Sequence, residues 1–269
     1  MRDPWTPSDL LAFFTTHPNS ASYVHPLLFL ISSTTTLYTF LSQLNADDVN
    51  IVTAEDPVEY NLAGITQVNV RPTIGYTFDL ALRSFLRQDP DIILVGEMRD
   101  YETSSIAVKA ALTGHLVLST LHTNDAAATV VRLIEMGIEP YLVSSAVKIV
   151  IAQRLIRRIC TRCKEPTPIT DSDRRHLSES DLSVLEHVYK GAGCDGCAGF
   201  GYVGRVPVSE VMPVISKEIR RVVTEGGTEI QVAQVAQREG MVTLRDNALR
   251  LVNDGTTSLD EAFSILLAE

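Results

Sequence analysis

Leu86-Arg87-Gln88-Asp89-Pro90-Asp91-Ile92-Ile93-Leu94-Val95-Gly96-Glu97-Met98-Arg99-Asp100 decides the fold. The unbroken apolar run from Ile92 to Val95 has the composition of a strand buried on both faces, as strands of a helix-covered parallel sheet are. Asp91 to Val95 reads as that strand, ending at Gly96-Glu97, and Asp100 can cap a helix that stops at Thr113-Gly114. Upstream, Thr77 is placed to cap a helix through Gln88, with Leu80, Leu82 and Phe85 on its apolar positions. Earlier still, Val49 to Thr53 is a short strand that runs through Glu55-Asp56 to a stop at Pro57. Thr34 to Asn45 carries helical spacing in Leu37, Phe40, Leu41 and Leu44. Downstream, Leu116 to Thr120 forms a further strand, and His122-Thr123-Asn124-Asp125 leads into a helix through Met136. Strands alternating with helices imply an α/β core with a mostly parallel sheet.

Composition narrows the class. The chain has 269 residues, 45% hydrophobic and 21% charged, as in a globular protein with a core domain and small appendages. A formal net charge of −10 argues against nucleic acid as a main partner, since phosphate neutralisation needs an excess of Lys and Arg. The apolar run Leu27 to Ile31 is far short of the roughly 20 residues that span a bilayer, and only Arg2 precedes it as a basic residue. A cytoplasmic protein is expected.

Four parts are expected along the chain. Residues 1–33 mix Pro, His, Phe, Ser and Thr without a period and read as an irregular segment. Residues 34–158 carry the alternating core. Residues 159–213 hold the cysteines and a charged excursion, helical around Leu182 to Tyr189. Residues 214–269 read as a helical subdomain broken at Gly226-Gly227, Gly240 and Gly255, with Ser258 and Glu261 as a capping box for the last helix.

The residues that carry chemistry cluster around the strand ends, where open parallel sheets place ligands. They are Glu55-Asp56 with Glu59, then Gly96-Glu97 with Arg99 and Asp100, then His115 with His122-Thr123-Asn124-Asp125. A carboxylate that follows an apolar strand, as Glu97 follows Ile92–Val95, suits a site that holds Mg²⁺ or polarises water. His122 suits proton transfer or contact with a phosphate. The four cysteines form two CxxC pairs, Cys160/Cys163 and Cys194/Cys197, with glycines dense around the second. That spacing is the form of a closed four-thiolate Zn²⁺ site.

Ile51 to Tyr60 resembles the Asp box of the secretion ATPase superfamily, Leu86 to Asp100 its Walker B segment, and Thr113 to Asp125 its His box. The chain from Thr34 onward is thus identified as resembling the motor ATPases of type IV pilus assembly and type II secretion. The resemblance implies a RecA-like P-loop NTPase core, ATP and Mg²⁺, a homohexameric ring, and attachment to an inner-membrane platform protein on the cytoplasmic side. By position it implies Glu97, Glu55 and His122 as catalytic residues and Thr34, Asp56, Glu59 and His115 as nucleotide-binding ones. Arg83, Arg87 and Arg99 would be structural or interface arginines. The tetracysteine module resembles pilus-extension and type II export motors, and Gly64 to Val70 looks closer to the pilus branch.

The departure lies before Thr34. A P-loop needs glycines to bare its backbone N–H groups and a Lys for the β- and γ-phosphates. The chain has no glycine before Gly64 and no lysine before Lys109. Three readings follow: a motor fragment whose residues 1–33 come from a truncated or frame-shifted reading of a longer gene, a non-hydrolytic zinc-bearing scaffold or regulatory subunit of a motor ring, or a zinc-stabilised α/β domain with no remaining role. The expectation for the chain alone is very slow hydrolysis of ATP or none.

Overall fold

The computed structural model describes residues 27–31 and 34–267. In chain order the first elements are β1 (Leu27–Ile31), α1 (Thr34–Leu44), β2 (Ile51–Glu55), β3 (Thr66–Asn69), α2 (Phe78–Phe85), β4 (Ile92–Val95), α3 (Tyr101–Leu112), β5 (Leu116–Ser119), α4 (Ala126–Glu135) and α5 (Pro140–Ala146). They continue with β6 (Val147–Ile159), β7 (Lys164–Pro166), α6 (Asp171–Arg174), α7 (Glu179–Val184), β8 (Tyr189–Gly191), β9 (Tyr202–Pro213), α8 (Lys217–Thr224), α9 (Glu229–Arg238), α10 (Leu244–Asn253) and α11 (Leu259–Leu266). The α/β alternation expected from the sequence is present.

Seven strands form one sheet in the order β3-β2-β4-β5-β1-β6-β9. The pairs from β3 to β6 that flank β2, β4, β5 and β1 are all parallel. Every residue of β2 and β4 is buried, as the continuous apolar runs required. A core of Leu37, Tyr38, Phe40 and Leu41 from α1 packs with Ile51, Ile92, Leu94, Leu118, Ile149 and Ile151 from the strands. The α1 residues recur at helical spacing, which turns one face of that helix onto the sheet.

Leu27–Ile31 departs from the expectation of an irregular segment. It forms β1 between β5 and β6, with Leu27 opposite Leu116 and Leu30 opposite Ser119. A short apolar run without period is what a central parallel strand requires, and its brevity hid it. The rest of the segment expected to be irregular, residues 1–26 and 32–33, lies outside the described residues.

The chain divides into two compact units, residues 1–151 with 211–241, and residues 152–210 with 242–269. The helices of 214–269, grouped together by sequence, are shared between them. In the first unit α8 packs on α5, and α9 packs on α4 and α8; in the second, α10 packs on α11 and α7. The buried apolar faces differ, Ile219 and Val223 on α8 against Leu244, Ala248, Leu249 and Val252 on α10.

Side-chain caps open most of the helices. Asp100 accepts the Thr103 N–H at 2.7 Å and Asp125 the Ala128 N–H at 2.7 Å, opening α3 and α4. Thr77 holds the N-cap position of α2, but its hydroxyl donates to Asp79. Ser258 accepts from the Glu261 N–H at 3.3 Å, yet Glu261 does not complete a capping box: its carboxylate takes the Arg157 Nη2 and Nε donors at 2.6 and 2.9 Å. The helix expected at Leu182 to Tyr189 begins earlier, at the Ser178–Asp181 capping box, and stops at Val184. Tyr189 belongs instead to β8, opposite Pro166 of β7.

Candidate functional site

Because the strands run parallel, the ends of β1, β2, β4 and β5 reach one edge of the sheet. Hydrogen bonds lock the segments just beyond β4 and β5 together. Thr120 Oγ1 donates to the Gly96 carbonyl at 2.6 Å, and the Met98 N–H donates to the Thr120 carbonyl at 3.1 Å. Gly96 also donates to the Ala54 carbonyl at 2.7 Å. A Cβ on Gly96 would stand 3.2 Å from that oxygen and 3.3 Å from Glu55 Cα, so the close approach of β2 and β4 here favours glycine.

This lock carries Glu97 and His122 to one place. Glu97 Oε1 is 3.3 Å from His122 Nε2, and Oε2 accepts from Arg99 Nε at 2.5 Å. The Glu97 side chain is only 16% exposed while those of His122 and Arg99 stand in solvent, at 79% and 69%. A sheltered carboxylate flanked by two solvent-facing basic side chains can hold a cation or orient a polar ligand, provided the basic groups swing away.

Glu55 is different. It is 2% exposed, and both its oxygens are taken. Tyr38 Oη donates to Oε2; Thr53 Oγ1 and Gln67 Nε2 donate to Oε1 at 2.6 and 3.2 Å. Burial, followed by the hydrogen bond to Glu55, pushes the Tyr38 phenol up to about 12. It therefore stays a donor across the whole neutral range. Asp56 and Glu59, in the loop after β2, are exposed.

Thr34 is exposed at the start of α1, with only Ser32 and Ser33 between it and the end of β1. His115 is not brought to this edge. It precedes β5, the adjoining Leu116 N–H bonds the Asp91 carbonyl at the start of β4, and its Nδ1 lies 2.9 Å from the Ala110 carbonyl at the end of α3. In a parallel sheet a residue before a strand belongs to the opposite edge, so proximity in sequence to His122 misled. Asp125 serves as the cap of α4 and faces Glu229 on α9, whose carboxyl is raised by burial and then by the Asp125 charge.

Sequence reading missed Tyr38, Thr53, Gln67 and Thr120. Tyr38 adjoins Leu37 in the apolar period of α1, where Leu37, Phe40, Leu41 and Leu44 were singled out and Tyr38 was not. A hydroxyl placed in an apolar stripe signals a buried polar partner, and that was the clue available.

The second unit holds the cysteines. The β7–β8 ribbon pairs Lys164 with Gly191, which sets Cys163 beside the turn that carries Cys194. All four Sγ atoms lie within 4.8 Å of one another. Cys160–Cys194, Cys163–Cys197 and Cys194–Cys197 are 3.9, 3.8 and 3.8 Å apart. Four sulfurs about 2.3 Å from a tetrahedral ion stand about 3.8 Å from each other, whereas a disulfide needs about 2.05 Å. The thiol set therefore fits a closed dication site. Burial opposes charge on Cys197, but N–H groups of Cys194 and Gly201, each 3.2 Å away, bring its thiol down to about 7. Burial drives Cys163 up to about 12. A dication relieves that conflict, since coordination deprotonates a thiol outright. The turn is tight: a Cβ on Gly191 would lie 2.0 Å from the Gly201 carbonyl.

With this geometry in view, residues 32–264 match the family model described as type II/IV secretion system protein. The chain belongs to the type II/IV secretion system protein family. Among its relatives, the type IV pilus assembly ATPase PilB of Myxococcus xanthus is 52% identical over 232 residues, 85% of this chain and 40% of that protein. The type II secretion system protein HxcR of Pseudomonas aeruginosa is 46% identical over 86% of this chain and 45% of its own. The chain thus spans less than half the length of these relatives. A crystal structure of the pilus retraction motor PilT with bound ADP superposes with a TM-score of 0.64 at 27% identity, covering 88% of this chain and 60% of that one. The Legionella pneumophila ATPase DotB shares the fold, with a TM-score of 0.63 at 20% identity over 94% of this chain and 63% of its own. The secretion-motor family read from the three boxes, and its RecA-like α/β core, stand.

Proposed function

We propose that this chain is the core of a motor ATPase serving type IV pilus assembly or type II secretion, with ATP and Mg²⁺ as ligands and a structural Zn²⁺ in the tetracysteine module. The observation that carries the reading is the sheet order, in which β1 stands beside β5 and two places from β4. The end of β1, Glu97 and His122 would therefore share one edge, as a nucleotide site at strand ends requires.

The carboxylate side suits a cation. Glu97 would stand nearest Mg²⁺, with the Thr34 hydroxyl as a second oxygen donor. Asp56 and Glu59 would order the polar side of the nucleotide, and His122 would sense its presence through Glu97. The phosphate side does not fit. Between β1 and α1 stand only Ser32 and Ser33, with neither the glycines that bare N–H groups nor a lysine. Hydrolysis by this chain alone is accordingly very slow or absent. Among the described residues no helix is long and apolar enough to cross a membrane. A homohexamer docked from the cytoplasm on an inner-membrane platform protein is the assembly proposed, with no role for nucleic acid.

A second reading draws on the same two-residue link: a non-hydrolytic, zinc-bearing scaffold or regulatory subunit of a motor ring. One experiment separates the two. Mg²⁺-dependent nucleotide binding and turnover are measured for the chain beside a version with a glycine-rich, lysine-containing loop inserted before Thr34. The motor reading expects turnover from the restored chain, abolished by Glu97→Gln, and near-background rates from the chain as it is. A restored chain that binds no nucleotide would sink the motor reading, and measurable turnover by the unaltered chain would overturn the proposed impairment.

A further inference from the structure

Tyr38 makes more polar contacts than a core tyrosine needs. It is fully buried on the face of α1 that packs on the sheet. Its hydroxyl donates to Glu55 Oε2 and accepts the backbone N–H of Glu59 at 3.2 Å. Gln67 Nε2 lies 3.5 Å from the same hydroxyl and also reaches Glu55 Oε1 and the Tyr60 carbonyl. The Tyr60 ring packs edge-on against Tyr38 at 4.6 Å. The rest of the loop is pinned from β3, where the Val58 N–H donates to Asn69 Oδ1 and the Leu62 N–H to Gln67 Oε1, both at 2.6 Å. One hydroxyl thus joins the helix that follows β1, the buried carboxylate that ends β2, and the loop beyond it.

We propose that Tyr38 is a positioning residue that ties α1 to loop 56–62 through Glu55. Glu55 serves as the anchor of that loop and does not face a ligand, leaving Asp56 and Glu59 as the carboxylates the loop presents. The donor count supports this: with three donors on its two oxygens at 2% exposure, Glu55 would have to break buried hydrogen bonds to meet anything else. The anchor rests on geometry alone; only the use of Asp56 and Glu59 toward a nucleotide rests on the motor reading. A displacement of α1 would reach the loop through this hydroxyl, which bonds both Glu55 and the Glu59 N–H.

The test is backbone hydrogen exchange on the full chain without nucleotide, so a failed motor reading leaves it intact. Tyr38→Phe keeps the ring and deletes the hydroxyl. The Glu59 amide loses its acceptor directly, so the informative amides are Val58 and Leu62, whose own acceptors are untouched. Both are expected to exchange about tenfold faster or more, with the β2 amides unchanged. Glu55→Gln retains an acceptor for the phenol and should keep Val58 and Leu62 within about threefold of the parent. Acceleration confined to Glu59, or a Glu55→Gln chain as loose as Tyr38→Phe, would overturn the proposal. Should Tyr38→Phe loosen β2 as well, Gln67→Leu decides. It removes the second tie while sparing the core, and unaltered exchange at Val58 and Glu59 in that variant would refute the shared anchor.

Discussion

Arg245→Met is expected to destabilise the second unit by about 3 kcal/mol, and the reasoning starts at Asp181. That carboxylate side chain is 6% exposed and receives four donors. Arg245 supplies Nη2 at 2.6 Å and Nε at 3.2 Å; Ser178 supplies its N–H and its hydroxyl, both at 2.7 Å. Removing one partner of a buried pair costs about 3–5 kcal/mol, because the other charge is left without compensation. Here two of the four donors remain and Arg245 is 25% exposed, so the lower end applies. Asp181→Asn should cost less, about 1–2 kcal/mol, since the Arg245 guanidinium keeps its bond to the Leu266 carbonyl at 3.1 Å and is partly open to water. The double variant should cost about 2 kcal/mol less than the sum of the singles. Urea unfolding followed by far-ultraviolet circular dichroism measures this, with a slope of about 2 kcal/mol per molar placing the Arg245→Met midpoint about 1.5 M lower. The pH dependence adds a check. Burial alone would raise the Asp181 carboxyl, but hydrogen bonds from Arg245 and Ser178 hold it below its ordinary value. A depressed carboxyl contributes stability above its unfolded value of about 3.9, lost as pH falls through the folded value. The gap between parent and Arg245→Met should therefore be full at neutral pH and shrink below about pH 4. Additive single variants, or a gap of equal size at about pH 3, would refute the reasoning.

Metal analysis of the purified chain should find about one zinc per chain, and Cys163→Ser should lower that content together with the exchange protection of the β7–β8 ribbon, because a structural zinc site supplies folding energy outright; a metal-free chain with a protected ribbon would speak against the site. In a chain with a restored phosphate loop, Glu97→Gln should reduce Mg²⁺-dependent turnover about 100-fold or more, as the loss of a preorganised charge at a reacting centre does; a reduction of less than about tenfold would move the principal role elsewhere. Between about pH 10 and pH 12 the parent should lose stability that Tyr38→Phe does not, since a phenol raised to about 12 stabilises the fold fully below its unfolded value and less as pH climbs through the folded one; identical alkaline curves for the two chains would exclude the effect.

Much of this was legible in the sequence where a local pattern has a single structural solution. Ile92–Val95 could only be a buried strand, Asp100 and Asp125 could cap helices, and the cysteine spacing required a shared site. What escaped depended on partners distant in the chain. Leu27–Ile31 has no period of its own, and only β5 and β6 on either side make it a strand. His115 and His122 are close in sequence but separated by the length of β5, so direction along the strand decided which one joined Glu97. Glu55 and Glu97 both follow apolar strands, yet one is enclosed by Tyr38, Thr53 and Gln67 and the other opens toward His122. Strand-end position alone does not separate two such carboxylates, because their difference lies largely in side chains contributed by α1 and β3, beside Thr53 of β2.

That difference bears on how the edge would work as a motor. A carboxylate sheltered but open to approach on one side can meet a ligand, whereas one saturated by buried donors can only pass on movements of the segments that hold it. Glu97 and Glu55 divide these tasks. Glu97 is joined to His122 and to the turn after β4, while Glu55 is joined to α1 and to loop 56–62. Tyr38 lies on α1, the helix that follows β1 in the chain, so a ligand held at the start of that helix would act on Tyr38 first. With only Ser32 and Ser33 between β1 and α1, the link through Tyr38 would outlast the phosphate contacts proposed for that place. Restoring those contacts should therefore need changes before Thr34 alone, with no second adjustment in the Glu55 network.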